Sequence, residues 1–556
     1  MDVERIKAES RNLRGNISEE LVSPASGVGE ETAQLLKFHG IYQQEDRDRR
    51  KARKAEGSEN ERTFMLRTKT PGGFVPAALY LALDDLAERF GIGTIRITTR
   101  EALQLHGVHK TDLRATIAEI ARRLGSTLGA CGDINRNVMA SPAPFAAPAY
   151  RIARDTARAL ADLLTPRTGA YYEIWQGGEN VHTSEGESEP IYGAAYLPRK
   201  FKIAVAAQGD NSVDLYTNDL GVVPVLDAHG VLLGYNLTVG GGLGRTHSKP
   251  ETFPRLADHF GFVEAHELLA VARAIVIVQR DNGDRTNRRH ARLKYLIADR
   301  GVDWFRAEVE RESGLLIGAW RELPPWRFHD YLGWHEAGDG KHFLGVPVLG
   351  GRIRDGEAAL TKTALREIVA RYGFDLVFTP NQNVLIVGVS PDRRACVDEI
   401  LAEHRVPTLR TIVPLERRAL ACPALPTCSL ALAEAERALP EIVRAAQVDL
   451  DELGLGDEPI AIRMTGCPNG CARPYMGEIG IVGVSGDLYN VHVGGDANLT
   501  RLNELYRQKV KLAEISALLR ALFTDFKNLR EAGESFGDFA LRAGRAGVEL
   551  ASQQLS

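Results

Sequence analysis

Four cysteines in the last third of the chain set the tightest limit on what it can fold into. Cys422 and Cys428 lie in Ala-Cys-Pro-Ala-Leu-Pro-Thr-Cys, and Cys467 and Cys471 in Thr-Gly-Cys-Pro-Asn-Gly-Cys-Ala-Arg-Pro. The pattern is C-x5-C, a gap of 38 residues, then C-x3-C. Two loops that meet would present four soft thiolates, the ligand set of a 4Fe–4S cluster. The Pro468-Asn-Gly turn can fold Cys467 and Cys471 toward one point. Ser429-Leu-Ala-Leu-Ala-Glu-Ala-Glu predicts a helix whose positive end lies beside Cys428 and favours its thiolate. Three plainer readings compete. Structural zinc usually takes pairs about two to four residues apart, a poor match for C-x5-C. Disulfides need an oxidising compartment. Unliganded core cysteines would have little reason to cluster this way.

A length of 556 residues suggests about three or four domains with ample material for cores. Lys+Arg 69 against Asp+Glu 73 leaves a net charge of −4, which disfavours general polyanion binding, so no nucleic acid is expected. The N-terminus has no apolar segment before a cleavage site. The best apolar stretch, Leu268 to Val278, is short for a span and carries Arg273, so no membrane is expected. Six cysteines without a leader predict a reducing cytoplasm. No dinucleotide or Walker phosphate loop occurs, so electrons from a nicotinamide must arrive through another protein.

Along the chain, residues 1–62 form a charge-dense arm, with Asp46-Arg-Asp-Arg-Arg-Lys-Ala-Arg-Lys read as a solvated face. A strand at Thr63, a Pro71-Gly-Gly turn, a helix from Leu81 to Phe90 and a strand at Thr94 follow. The same order recurs downstream: a strand at His342, a Gly350-Gly turn, a helix from Leu365 to Tyr372, and strands at Asp375 and Gln382. Arg89-Phe-Gly aligns with Arg371-Tyr-Gly, Gly107-Val with Gly388-Val, and Tyr235-Asn-Leu-Thr-Val-Gly-Gly with Tyr489-Asn-Val-His-Val-Gly-Gly. These matches predict an internal duplication of about 250 residues, with a site where the halves meet. Only the second half carries the four cysteines. The first carries cations at strand spacing: Arg67 and Lys69, Arg96 and Arg100, Lys200 and Lys202, with Arg136 in a loop. A wet sheet face explains such pairs equally well. The basic loop from Asp281 to Lys294 fits a solvated face, an anion site or a docking surface.

Taken together, these residues resemble the assimilatory sulfite reductases, the haemoprotein of the NADPH enzyme and its ferredoxin-dependent relatives. The matching stretches are Phe38-His-Gly-Ile-Tyr-Gln-Gln-Glu-Asp-Arg-Asp, Gln104-Leu-His-Gly, Asn135-Arg-Asn-Val, Leu197-Pro-Arg-Lys-Phe-Lys, Thr465-Gly-Cys-Pro-Asn-Gly-Cys and Phe536-Gly-Asp-Phe. The resemblance implies sirohaem beside a 4Fe–4S cluster held by Cys422, Cys428, Cys467 and Cys471, with Cys471 bridging the two. It implies a distal cationic pocket of Arg67, Arg136, Lys200 and Lys202, and a macrocycle lined by Arg96, Arg100, Gln104, His106 and Asn469. Buried carboxylates of a tetrapyrrole need paired positive charge. The implied reaction is six-electron reduction of sulfite to sulfide. Nitrite reduction to ammonia is the alternative within the class, and a non-catalytic Fe–S or nucleic-acid-binding protein the alternative outside it. The implied partner is an electron donor, ferredoxin or a flavoprotein reductase, and Cys471-Ala-Arg-Pro-Tyr-Met leans to ferredoxin. The implied fold is α+β and three-lobed, a pseudo-twofold duplication with cofactors in the central crevice. Its expected parts are the arm 1–62, a central domain of 63–130 plus 325–405, a first lobe at 131–324 and a second lobe at 406–556.

Overall fold

The computed structural model describes residues 2–58, 61–166, 173–176, 179–183 and 189–546. Two five-stranded antiparallel sheets occupy its centre. One runs Ile41–Gln44, Thr63–Arg67, Leu103–Val108, Ile95–Ile97, Arg352–Ile353; the other runs Gly333–Glu336, His342–Val346, Val384–Val389, Asp375–Phe378, Phe74–Val75. Each sheet is thus completed by a two-residue strand from the opposite half. Ile353 pairs with Ile95 in one, and Phe74 with Val377 in the other. A helix crosses each sheet, Ala77–Phe90 and Thr361–Tyr372, and Lys362 joins them by an ion pair to Asp84 at 3.0 Å. Alternation puts Ile95 and Ile97, Leu103 and Leu105, Leu376 and Phe378, Val384 and Ile386 into one shared core.

The exchange needs a tight turn before each short strand, and glycine supplies it. Gly73 and Gly351 both have positive φ (73° and 75°), and a Cβ on them would lie 2.1 Å from Phe378 O and 2.5 Å from Ile97 O respectively.

The flanking lobes repeat one another as well. The first orders its sheet Asp258–Glu264, Leu232–Val239, Leu220–Leu226, Ile203–Val205, Met139–Ala140; the second orders its own Glu504–Lys511, Leu488–Val493, Ile479–Ser485, Ile462–Thr465, Leu420–Ala421. In both, the last two pairings are parallel and the rest antiparallel. Register fixes the correspondence: Val239 pairs with Leu220 as Val493 pairs with Ile479, which superimposes Tyr235 on Tyr489 and Gly240 on Gly494. The two Tyr-Asn motifs are therefore the same strand in two copies. The expected α+β, pseudo-twofold architecture is what forms.

Two local expectations fail. The stretch after Cys428 is not helical; the helix there begins only at Leu439. Ala431, Ala433 and Ala435 are buried, and Leu432 N and Ala433 N both donate to Gly466 O at 2.7 and 3.0 Å. Tertiary bonding to the neighbouring cysteine loop overrides helix propensity. The basic arm is not wholly solvated either. Arg47 reaches inward to donate to Cys428 O at 3.2 Å and Ala431 O at 2.5 Å, while the helix Arg50–Ala55 lies outside. The side chains at 51 and 52 lie outside the described residues.

Candidate functional site

The second lobe's sheet delivers the cysteines. Cys422 leaves the end of Leu420–Ala421 and Cys467 follows Ile462–Thr465, the adjacent parallel strand. Gly466 N donates to Cys422 Sγ at 3.3 Å, and Asn469 Nδ2 to Cys467 Sγ at 3.5 Å. Cys422 and Cys467 are buried, Cys428 is intermediate, and of the four only Cys471 is exposed. Burial pushes the Cys467 thiol up to about 12, with Cys471 and Cys428 adding to the rise. Cys422 and Cys428 are raised for the same reasons, burial first and then their fellow cysteines. Four thiols that feel one another's charge occupy one neighbourhood. Among the described residues no three His, Cys, Asp or Glu are placed to hold a single metal ion. A 4Fe–4S cubane would bond each sulfur to a different iron, which calls for wider spacing than the ligands of one tetrahedral ion.

Cys471 faces a cleft whose walls include Arg100, Lys200, Lys202, Arg292, Asn469 and Arg473. The two lysines precede strand Ile203–Val205, and Phe201 between them pairs with Asn135, which sets Arg136 alongside. Among the described residues Lys200 Nζ and Lys202 Nζ have no hydrogen-bond or ion-pair partner. Burial, with Arg199, Arg292 and Arg136 close by, pushes Lys200 down to about 7, and burial beside Lys200 and Arg100 pushes Lys202 well below its ordinary value. Burial and neighbouring cations hold the two lysines' charge down, and no carboxylate among the described residues bonds to either, so an anion in the cleft would favour their protonated forms.

Arg100 sends Nη1 to Asn218 Oδ1 at 2.9 Å and Nη2 to Asn137 O and Ile203 O at 2.6 and 2.9 Å, while its Nε is buried without a partner. His106 Nδ1 meets Gln44 Oε1 at 3.3 Å, and its Nε2 is likewise orphaned. Burial beside Arg352, Arg96 and Arg67 drives His106 well below its ordinary pKa, so it is a neutral imidazole. The unmet Arg100 Nε–H fits a buried carboxylate, whereas neutral His106, donating from Nδ1 to Gln44, keeps an acceptor lone pair on Nε2. Arg67 does not line the cleft, but Cys471 acts on its charge; its Nη1 donates to Cys131 Sγ at 3.1 Å and its guanidinium lies over Tyr42. With its amide turned to satisfy both groups, Gln104 accepts from Arg67 Nη2 at 2.6 Å. Cys131, for which the sequence suggested no role, therefore orients a cation of the site. Arg136 is tied through Nε to Gly132 O at 2.8 Å.

Arg96 stands apart. Its nitrogens are all engaged: Nε with Glu436 at 2.8 Å, Nη2 with Ala421 O at 2.9 Å, Nη1 with Ile97 O at 3.5 Å. Arg352, its partner across the exchanged strands, shares Glu436. This pair braces the strand leading to Cys422 from behind. Lys69 also turns away, donating to Ala161 O and Thr165.

Sequence reasoning missed the groups that lock the cysteine loop. Asp214, fully buried, accepts from Arg463 Nη1 at 2.7 Å and pairs with Arg473, two residues past Cys471. Arg473 also donates to Thr99 O and Pro380 O at 2.7 and 2.9 Å, and Thr99 Oγ1 donates to Cys471 O at 2.8 Å. One arginine thereby joins both lobes and both halves of the centre. The basic loop, left open by the sequence, turns inward. Arg288 grips Asp133 at 2.7 and 3.0 Å, and Arg292 grips Asp219 at 2.7 Å.

Comparison with known proteins places this architecture. The model described as the nitrite/sulfite reductase ferredoxin-like half domain matches residues 56–123 and 335–404, the two halves of the centre. The nitrite and sulphite reductase 4Fe-4S domain model matches 156–315, within the lobe that lacks the clustered cysteines. The ferredoxin sulfite reductase of Synechococcus elongatus is 50% identical, covering 98% of this chain and 89% of the relative. The NADPH sulfite reductase hemoprotein beta-component of Myxococcus xanthus is 46% identical over 98% and 96%. The solved structure of the Mycobacterium tuberculosis NirA protein shares the fold with a TM-score of 0.78 at 24% identity, covering 98% of this chain and 95% of that one.

Proposed function

The chain belongs to the nitrite and sulfite reductase family, and from that membership we propose that it reduces sulfite to sulfide at a sirohaem coupled to a 4Fe–4S cluster. The observation that carries the choice of substrate is the unneutralised pair Lys200 and Lys202 facing Cys471 across one cleft. Sulfite is a dianion; in the cleft it would favour the protonated form of both lysines, which with Arg67 and Arg136 behind them would match its charge. In this reading Cys422, Cys428, Cys467 and Cys471 would hold the cluster, with Cys471 on the side that faces the cleft. Arg100, Gln104, His106 and Asn469 surround the macrocycle, and Arg96 stiffens its base. The bound cofactors would supply electrons one at a time and a Lewis-acidic iron.

The chain's own residues then do three things. Lys200 and Lys202 draw in the oxyanion and orient its oxygens. Their pKa is lowered by burial and neighbouring cations, and an arriving dianion favours their protonated form, so they can take up protons there and pass them to oxygens leaving as water. The buried arginines keep the cleft positive throughout without titrating. The overall balance is SO3²⁻ with six electrons and six protons giving S²⁻ and three waters. The electrons come from a donor protein, ferredoxin or a flavoprotein reductase, with the higher identity to a ferredoxin-named relative favouring ferredoxin. A reducing cytoplasm suits four unoxidised thiols.

The test is the visible spectrum of the purified protein before and after sulfite and reductant, followed by kcat/KM for sulfite and nitrite. A Soret and a red tetrapyrrole band, both moved by sulfite, and a kcat/KM favouring sulfite are expected. A featureless brown absorption, from cells that make sirohaem, would overturn the reading. So would a preference for nitrite.

A further inference from the structure

The two halves of the centre each end a strand in the same turn, and the residues at its apex differ. After Ile95–Ile97 the chain turns at Thr98 to Ala102; after Asp375–Phe378 it turns at Thr379 to Asn383. The turns superimpose bond for bond. Thr98 N donates to Ala102 O as Thr379 N donates to Asn383 O (2.8 and 2.9 Å), and Ala102 N returns to Thr98 Oγ1 as Asn383 N returns to Thr379 Oγ1 (3.1 Å each). The apex residues, Glu101 and Gln382, share the rare left-handed backbone, with φ of 57° and 65°. Both side chains point into the matching lobe. Glu101 Oε2 accepts from Ala140 N at 3.1 Å and Gln382 Oε1 from Ala421 N at 3.2 Å, and those two alanines are the same position in the two lobe sheets.

The remaining end of each side chain decides the chemistry. Gln382 Nε2 donates to two backbone carbonyls, Ile97 O and Gly350 O, at 3.3 Å each. The pseudo-twofold mates of those carbonyls are Phe378 O and Gly72 O. Glu101 offers an oxygen where Gln382 offers an amine, and that atom, Oε1, is buried without a partner. A carboxylate oxygen beside carbonyl oxygens is repelled; a carboxylic acid hydroxyl there would donate just as the amide does. From this correspondence we infer that Glu101 is an un-ionised carboxylic acid, donating its proton to the carbonyls that mirror the acceptors of Gln382.

The charges around Glu101 have been weighed by the fold itself. Full burial raises its pKa well above the ordinary range, against the Ala140 N–H bond, Arg100 and Arg473, which favour ionisation, while Asp210 adds to the rise. Neither arginine bonds to it: Arg100 directs its two Nη groups to Asn218, Asn137 and Ile203 and leaves Nε without a partner, and Arg473 binds Asp214, Thr99 and Pro380. Glu101 is thus a positioning residue. It holds the strand Met139–Ala140, whose Met139 lines the cleft, as Gln382 holds the strand that ends at Cys422.

Infrared difference spectroscopy of the purified holoenzyme against its Glu101→Gln variant tests this. The wild-type-minus-variant spectrum should contain the carbonyl stretch of an un-ionised carboxyl, shifted by deuterium exchange and unchanged between about pH 6 and pH 9, well above a free glutamic acid. Glu478, pushed up to about 7 by burial, titrates within that range and is present in both proteins, so it cancels. Glu101→Gln should keep wild-type cofactor content and Tm, whereas Glu101→Met, which can neither accept nor donate, should lower both. The reciprocal Gln382→Glu variant should fold and gain a second un-ionised carboxyl band. The inference is overturned by a difference spectrum with only carboxylate bands, by a Glu101→Gln chain that fails to fold, or by a Gln382→Glu variant that gains no such band.

Discussion

Replacing Asp214 with asparagine would leave two buried arginines without their shared counter-charge. Asp214 is fully buried, Arg463 is 1% exposed, and their contact is 2.7 Å; Arg473 is 6% exposed. An asparagine keeps the shape and one acceptor oxygen, so the loss is almost purely electrostatic. Breaking a buried ion pair by removing one partner costs about 3–5 kcal/mol. Burial already pulls Arg473 down to about 10, the mark of a cation that depends on its partner. Urea unfolding followed by intrinsic fluorescence measures the effect. With a slope of about 3 kcal/mol/M the midpoint should fall by about 1 M or more. Adding Arg473→Gln to Asp214→Asn removes one stranded charge, so the double variant should be less destabilised than the sum of the singles by about 1–3 kcal/mol. The single variant should also load cluster poorly, because Arg473 holds the loop of Cys467 and Cys471. A midpoint within about 0.3 M of wild type, or strictly additive variants, would refute the idea that this cluster of charges joins the lobes.

Cys422→Ser should fold and lose its cluster, read as iron and acid-labile sulfide. The first lobe shows why: Ala207 N donates to Ser141 Oγ at 2.9 Å just as Gly466 N donates to Cys422 Sγ, and register equates the two sites. Lys200→Met and Lys202→Met should each lower kcat/KM for sulfite by about 10²–10³-fold with the tetrapyrrole spectrum retained, as expected for loss of one preorganised cationic donor. Asp133, buried and gripped by Arg288 with Arg199 and Lys7 nearby, is held down to about 2 against an ordinary 3.8. A depressed carboxyl stabilises the fold above its unfolded pKa and loses that contribution as pH falls through its folded one. About 2 kcal/mol should therefore vanish between about pH 4 and pH 2 in acid titrations of wild type, and this portion of the acid limb should be missing in Asp133→Asn.

Much of this was legible in the residues. Alternating Ile95-Arg-Ile and the paired glycine turns revealed the duplicated strands, because period two and positive φ are local properties. The cysteine spacing likewise marked the two loops that bring four thiols into one neighbourhood. The segment after Cys428 misled because its alanines favour a helix in isolation, and only contact with Gly466 holds it extended. Arg96 looked like another cation for the cleft, yet its fate depends on Glu436, some 340 positions away. The clamp of Asp214, Arg463 and Arg473 was invisible for that reason as well: nothing near Asp214 announces its partners. Once Cys471 was singled out, Arg473 beside it was the one member of that clamp a closer reading could have raised.

The exchanged strands impose an order on synthesis. The edge at Ile95 receives its cover from Ile353, about 260 positions later. At a translation rate of about 5–20 residues per second, that edge waits some 13–50 s with its amide groups unpaired. The early half is thus a client for chaperones, or for a neighbouring nascent chain, until the late half emerges. A half-length chain bearing the same turn could meet that need only by trading strands with a second copy of itself.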